Sequence, residues 1–582
     1  VIIPSQPRNP SAKERLEMMA FALESENRIE DLDNIVELLA PPQDILTIAP
    51  PGSCKNVRVA VLGGGLAGLS AAFELRKLGF HTTIFEANEQ RIGGRVYTHY
   101  FDQQRQLYGE LGAMRFPVSH NTTWHYIDLF KLNTRPFIQT NENAFIYVRG
   151  VRVRNDPGGK NVQKYIYPKF NMTPEEKDLS WQELENIAFF EPLLAIPSEI
   201  RKQILEIRDI YSPQINMSDF FNIRQSMEKA GLSDGAIAML SNVNPSTGSF
   251  FYYSFFEILM EIYGINFSFM YEIPGGMAKF PEAFLDSFQQ DCPKNYYPDI
   301  YPNHLGDIDL RMGHAIMGLG QYREDGAVTV HYKKKDCPEI HQEDFDYVIC
   351  TLPFSSVRRL RLDPLFSSRK MQAIRILSYI SSQKTACLFN QRFWEIGGPD
   401  ERIIGGSSST DLPISSIWYP SDDGKFIGDE EYDYRKSYRD SYGCTWDLNT
   451  KANPNLPGVL LASYNWGQDA VRLGNEPNPL RIYDIKRQVE EVHGLYPGSL
   501  DPLLKDYKTV HWNTEPWFWG AFSFLSPSEH RLFSKVSIEP EYKSRVFFAG
   551  EHVSTARAWM QGSLQTGMIA ANGVAKMCRK ML

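Results

Sequence analysis

Cysteine is scarce in this chain: seven residues, at positions 54, 292, 337, 350, 387, 444 and 578, with no CxxC pair. That spacing argues against a metal cluster and against a small disulfide-built scaffold, so no metal site is expected. A membrane-length apolar run is also missing. The longest uncharged apolar stretch, Val59 to Phe73, is rich in glycine and shorter than the ~20 residues a spanning helix needs. Charge of one sign is not concentrated anywhere: 61 Lys plus Arg face 70 Asp plus Glu, a net charge of −9. The basic block that nucleic-acid binding requires is therefore absent, and the short run Lys333 to Lys335 reads as a solvated turn. No repeat or low-complexity tract interrupts the chain. Pro and charged residues follow soon after Val1, in place of a leader with an apolar centre. The expectation is a soluble protein, cytoplasmic in preference to secreted, although Asn121, Asn171, Asn216 and Asn266 each head an Asn-x-Ser/Thr triplet that a secreted form would offer to a glycan.

What the chain does have is length and apolar bulk. With 582 residues, 42% hydrophobic, including 35 Phe, 29 Tyr and 10 Trp, it exceeds one ordinary core and suggests two or three domains with room for a large buried cofactor. Residues 1–55 join a charged helical stretch, Ser11 to Leu39, to a Pro-rich segment, Pro41 to Pro51, and read as an arm packed on the body. At Val57 the pattern changes to a buried strand, VRVAVL, a glycine turn, an alanine-rich helix, LAGLSAAFELRKLG, and a second strand, HTTIFEA, which together make a βαβ unit. Helical spacing dominates 171–262, in SWQELENIAFF, PSEIRKQILEIRDIY and FFEILMEIYG. Strand patterns return at GAVTVHY and DYVICTLP, and RVFFAG followed by a Gly/Ala-rich helix, Gly562 to Met577, returns to strand then helix.

Gly63, Gly65 and Gly68 form GxGxxG between the first strand and its helix, where glycines permit a tight turn, close approach of a pyrophosphate and close helix packing. The helix N-terminus, with Leu66 and Ala67, then turns free N–H groups toward phosphate oxygens. A bare GxGxxG arises by chance about 0.2 times in a chain with this much glycine, so its context carries the argument. Glu86 closes the second strand 18 residues after Gly68, beside Ala87, where a carboxylate accepts from both hydroxyls of an adenosine ribose. Just beyond, RIGGR supplies Gly93, Gly94 and Arg95, a second device suited to a pyrophosphate or the group attached to it.

The GxGxxG, the Glu at the second strand, the GGR and the segment FAGEH, with Gly550 and Glu551, together resemble the flavin amine oxidase superfamily, over about residues 58–576. The resemblance implies FAD as cofactor, with Glu551 on ribityl or pyrophosphate oxygens and the following helix, through Trp559, Met560, Gln561 and Ser563, aimed at the flavin. Within that superfamily ELGAMRFP, residues 110–117, looks like the segment of L-amino-acid oxidases. There Gly112, Ala113 and Met114 lie along the flavin and Arg115 grips the substrate carboxylate, a task suited to a planar fork of donors. In ASYNWGQDA the resemblance assigns Tyr464 to the same carboxylate and places Trp466 beside it; in ARAWMQGSLQTG it makes Trp559 a wall of the amine site. Lys384 matches the lysine that holds a water near flavin N5. Ala315 and Ile316 fall at an adenine contact, YEIPGGMAKFP feeds the second half of the flavin domain, and in EPWFWGAFSF Trp517 and Trp519 line the flavin as packing groups.

The expected fold class is α/β: a discontinuous FAD-binding Rossmann-type domain (56–109, 263–370 and 541–582), a mixed-sheet substrate domain (110–170 and 371–540), a helical domain (171–262) and the arm (1–55). The expected function is FAD-dependent oxidative deamination of L-amino acids by oxygen, giving 2-oxo acids, ammonia and hydrogen peroxide. Amine or polyamine oxidation, amino-acid 2-monooxygenation, dehydrogenation and a flavin-binding protein without turnover stay open as alternatives. The resemblance also implies a homo-dimer or homo-tetramer. No dedicated base stands out among the 12 His, and Glu257 or Glu261 in the helical segment offers a carboxylate able to select a basic side chain.

Overall fold

A computed structural model describes residues 4–289, 293–324, 326–429, 432, 438–439, 445–449 and 451–580; Cys292 and Cys444 lie outside them. The glycine turn and its two strands fold as their pattern requires. Arg58–Leu62 and His81–Glu86 pair in parallel around the helix Leu66–Lys77, whose Gly, Ala and Leu residues are almost all buried. Three distant segments complete the sheet. Ile308–Met312 adds beside His81–Glu86, Tyr347–Cys350 beside Arg58–Leu62, and Val546–Phe548 beside Tyr347–Cys350, all parallel. A parallel sheet buried on both faces needs continuous apolar strands, and Val59, Ala60, Val61 and Leu62 are fully buried. The C-terminal helix, Met560–Arg579, crosses the first helix closely enough for Ser70 Oγ to donate to the carbonyl of Leu564 at 3.1 Å.

A second sheet of seven strands, mixed in direction, carries Ser382–Phe389 and Gly458–Trp466 side by side, with Ser416–Trp418 next to the latter. Between the sheets in sequence, residues 174–263 hold a series of short helices ending in Phe255–Tyr263. The arm makes two helices, Ala12–Ser25 and Leu32–Leu38, where the spacing suggested one; the break falls at Asn27, whose φ is 55°. The arm is tied to the body by side-chain amides: Gln561, Gln565 and Asn572 donate to carbonyls of Leu39, Leu38, Ala40 and Gln43.

Three local expectations are corrected. PSEIRKQILEIRDIY is helical only at Ser198–Arg201 and a 3-10 turn, Lys202–Leu205, before the chain extends at Glu206; Arg201, at the helix end, is drawn in to Glu30 and Asp31 of the arm. Lys333 and Lys334 are no part of a turn but close the strand Val328–Lys334, whose Val328, Thr329, Val330 and Tyr332 are buried, and Lys335 pairs with Glu89. Asn266 is unavailable to a glycan in the folded chain, being buried with its side chain bonded to His120 and Glu261. No helix among the described residues is long and apolar enough to cross a membrane.

Candidate active site

A cavity of about 770 Å³ runs from the glycine turn to the seven-stranded sheet and the last helix before residue 264, a volume in the range of cofactor and ligand sites. The end expected to hold a nucleotide is built largely from backbone turns. Gly63, Gly65, Leu66, Ala67, Glu86, Ala87, Gly93, Gly94, Arg95 and Ile316 line it. Gly93 N–H donates to the carbonyl of Gly64 at 2.8 Å, which brings the two glycine turns together. A Cβ on Gly65 would meet protein only at Gly94 Cα, 3.9 Å away, so a side chain there would project into the cavity. Gly68 does not line the cavity; a Cβ on it would lie 2.1 Å from the carbonyl oxygen of Gly63, so it serves the close packing of helix on turn. The Glu86 carboxylate accepts from Gly64 N–H and Asn88 N–H at 2.9 and 2.7 Å, which fix it at the strand end, and burial pushes its pKa up.

Two helix N-termini open onto this end, at Leu66–Ala67 and Met560–Ser563, and no side chain among the described residues caps either one. Uncapped N–H groups and the positive dipole end suit an anion. Between them, Glu551 takes Arg95 Nη1 at 2.6 Å, Ser523 Oγ at 2.7 Å and the N–H groups of Ser523 and Ala558. Burial alone would raise its pKa, but Arg95, His552 and these donors hold it below the ordinary carboxylate value. Its oxygens are thus taken by protein donors, which tie Glu551 to Arg95 and to the Ala558–Trp559 turn. Gly550, beside it, also lines the cavity.

The other end, where the residues expected at the substrate lie, is made of side chains from several distant segments. Lys384 and Tyr464 face each other across adjacent antiparallel strands, and Ser382 faces Trp466 two residues on. This register puts Tyr464 and Trp466 on one face, ring centres 4.3 Å apart, with Lys384 Nζ 4.2 Å from the Tyr464 ring. Arg115 follows Gly112, Ala113 and Met114 along the wall, its guanidinium 4.5 Å over Trp418 and within 6 Å of Phe137 and Phe267. Burial pushes the Tyr464 pKa up against the pull of Arg115, so the hydroxyl keeps its proton and can donate. Lys384 is held down to about 7 by burial and by Arg115. It donates to the carbonyl of Gly112 at 2.7 Å and approaches the carbonyl of Glu110 and the Met114 sulfur at 3.4 Å, so it steadies the loop that carries Arg115. Glu110, at the head of that loop, accepts Met277 N–H at 2.7 Å and joins ELGAMR to YEIPGGM.

Trp559 forms another wall, with Nε1 donating to Glu261 at 3.0 Å. Glu261 itself lines the cavity, whereas Glu257 is bidentate with buried Arg557 at 2.7–3.1 Å and is unavailable to a substrate. Besides Gly68, three residues expected at the cofactor stand elsewhere. Ala315 points away, leaving His314 and Ile316 on the wall, as alternation along the strand His314–Gly320 dictates. Trp519 lies under Arg359, 4.1 Å from its guanidinium, and Trp517 and Phe518 take the wall. Gln561 faces the arm, accepting Thr123 N–H and donating to Leu39 and Thr122. Sequence reasoning missed Trp418, Phe137 and Phe267 altogether, because no local spacing marks residues that meet only across sheets.

A family model described as flavin-containing amine oxidoreductase matches residues 66–575. This chain belongs to that family. The family's flavin chemistry fits the cleft, and the cofactor is FAD: the open cradle at Gly65, the two uncapped helix ends and the fixed Glu86 suit a dinucleotide. Among relatives, the chain is 28% identical over 541 residues to an L-amino-acid oxidase of Siganus canaliculatus, covering 93% of this chain and 88% of that one. It is 30% identical over 526 residues to a putative L-amino-acid oxidase, YobN, of Bacillus subtilis (strain 168), covering 89% and 95%. In fold this flavin amine oxidoreductase is similar to a putrescine oxidase, with TM-score 0.61, 15% identity and coverage of 89% and 99%. It is similar also to the cyclohexylamine oxidase of Brevibacterium oxydans IH-35A, with TM-score 0.60, 14% identity and coverage of 90% and 99%.

Proposed function

We propose that this protein is an L-amino-acid oxidase, converting L-amino acids to 2-oxo acids, ammonia and hydrogen peroxide. The observation that carries this reading is Arg115, a guanidinium on the wall of the same cavity that holds the nucleotide cradle, with Tyr464 near enough to feel its charge. An amine without a carboxylate has no use for such a fork; an α-amino acid does. Arg115 and Tyr464 bind the carboxylate, Trp559, Trp466 and Trp418 exclude water and flank the substrate, and Lys384 holds the 110–114 loop in place. When bound, FAD would supply the two-electron acceptor for the Cα–H and a route for those electrons to oxygen. Orientation by two fixed groups converts encounter into a productive pose.

The test is an anaerobic absorbance titration of the yellow protein with L- and D-amino acids and simple amines, followed by air and a peroxide assay. Bleaching by L-amino acids with peroxide on reoxidation is the expected result. Bleaching by amines alone would make it an amine oxidase, and bleaching without peroxide a dehydrogenase.

A further inference from the structure

An α-amino acid reaches the enzyme as a zwitterion, and its nitrogen has to lose a proton before the Cα–H can leave with two electrons. The described histidines offer no acceptor at the substrate end. His314, beside Ile316, lines only the nucleotide end, and its Nδ1 lies 2.7 Å from the carbonyl of Met312. His120 packs against the Trp559 ring at 5.1 Å, but its Nε2 is bound to Asn266 and burial pushes it down to about 3. Lys384 turns to backbone carbonyls of its own wall.

We propose that Glu261 is the general base of this reaction, its carboxylate taking a proton from the substrate α-ammonium. This rests on the L-amino-acid oxidase reading above. Glu261 stands on the helix Phe255–Tyr263 and reaches the cavity that Arg115 also lines. It is oriented by two donors, Trp559 Nε1 at 3.0 and 3.1 Å and Asn266 Nδ2 at 2.9 Å, and Asn266 is fixed in turn by His120. A carboxylate has about four acceptor positions, so these donors leave capacity for an ammonium. Arg115 and Glu261 thus present a cation and an anion to one ligand, the pattern a zwitterion fits. In the step the N–H bond breaks, an Oε–H bond forms on Glu261, and the electron pair stays on nitrogen, ready to form the C=N bond as the Cα–H departs.

The charged groups around Glu261 tune it for this. Burial raises its pKa to about 7, Glu257 one turn earlier adds to the rise, and Arg115 with the donors from Trp559 and Asn266 opposes it. Glu257 is largely neutralised by Arg557. A base with a pKa near the working pH is the efficient kind.

The experiment is anaerobic stopped-flow bleaching of the holoenzyme by an apolar L-amino acid, from acid to alkaline pH, for the wild type, Glu261→Gln and Glu261→Asp. The wild-type rate is expected to fall away below about pH 7. Glu261→Gln should bleach on the order of 100-fold more slowly at neutral pH and recover as the pH nears that of free amine formation. Glu261→Asp should keep the acidic limb at a reduced rate, and it carries the test if the Gln variant loses flavin. Independently of turnover, the infrared spectrum of resting holoenzyme should show a protonated-carboxyl band that disappears as pH rises through about 7 and is missing from Glu261→Gln. A Gln variant with the wild-type rate and pH profile overturns the proposal. Slowing confined to Lys and Arg substrates also overturns it, making Glu261 a side-chain selector. A wild type that no L-amino acid bleaches defeats the oxidase reading itself.

Discussion

The two ends of the one cavity are built by different means. At the nucleotide end, most contacts come from turns and a helix start whose residues lie close together in the chain: Gly63, Gly65 to Ala67, Glu86, and Gly93 to Arg95. At the substrate end, Arg115, Glu261, Lys384, Tyr464 and Trp559 come from five segments, each 80 or more residues from the next, and meet as side chains. The first kind of site tolerates almost no added atom; the second depends on charge and donor geometry. Damage should therefore be all-or-none at one end and graded at the other.

The sharpest break is Gly65→Val. Its Cβ enters the cavity and meets protein only at Gly94 Cα, in ordinary contact at 3.9 Å, so the protein should fold with an unchanged circular dichroism spectrum yet purify without flavin absorbance; a yellow variant would refute the cradle. Arg115→Ala should keep its flavin and lose at least tenfold in kcat/KM for every L-amino acid, about 1.5 kcal/mol or more for a charge-assisted bond. Arg115→Lys should recover little of this, since a point charge does not reproduce the fork. Loss of flavin from Arg115→Ala would place that residue at the wrong end.

Gln561→Ala separates cavity from scaffold on a single helix. It strips partners from Leu39, Thr122 and Thr123, and should lower stability by about 1–3 kcal/mol in thermal unfolding while leaving amino-acid turnover unchanged. The smallest effect concerns pH. Burial and Arg115 hold Lys384 down to about 7, against ~10.4 for a free lysine. Between those values the unfolded chain binds a proton that the folded chain lacks, so this group makes stability rise with pH through that window. Lys384→Met removes that term. The melting temperature of the variant relative to wild type should therefore fall as pH rises from 7 to 10, by the equivalent of about 1 kcal/mol or more; a flat difference would mean that Lys384 is not depressed.

The same contrast explains what could be read in advance. The βαβ unit was legible because strand, turn and helix are contiguous and each has its own period, and the parallel pairing of Arg58–Leu62 with His81–Glu86 follows from it. Ala315 and Gln561 went astray for a local reason: being next to a wall residue on a strand or helix does not decide which face a side chain takes. Trp519 failed likewise, one residue from Phe518, which does line the cavity. Glu257 and Glu261 were equivalent in sequence, four residues apart on one helix. They part only because Arg557, from the other end of the chain, claims the first.

By itself, the sequence determined the dinucleotide unit, because glycine at a strand-to-helix turn carries its physical reason with it; the flavin-closing segment and the assignment of Arg115 to a carboxylate came through resemblance to a family. Only the tertiary structure decided the register that sets Lys384 opposite Tyr464, the aromatic floor of Trp418 under Arg115, and the choice of Glu261 over Glu257. Those depend on which side chains share a low-dielectric space, and burial beside a particular charge is a property of packing that no linear spacing encodes.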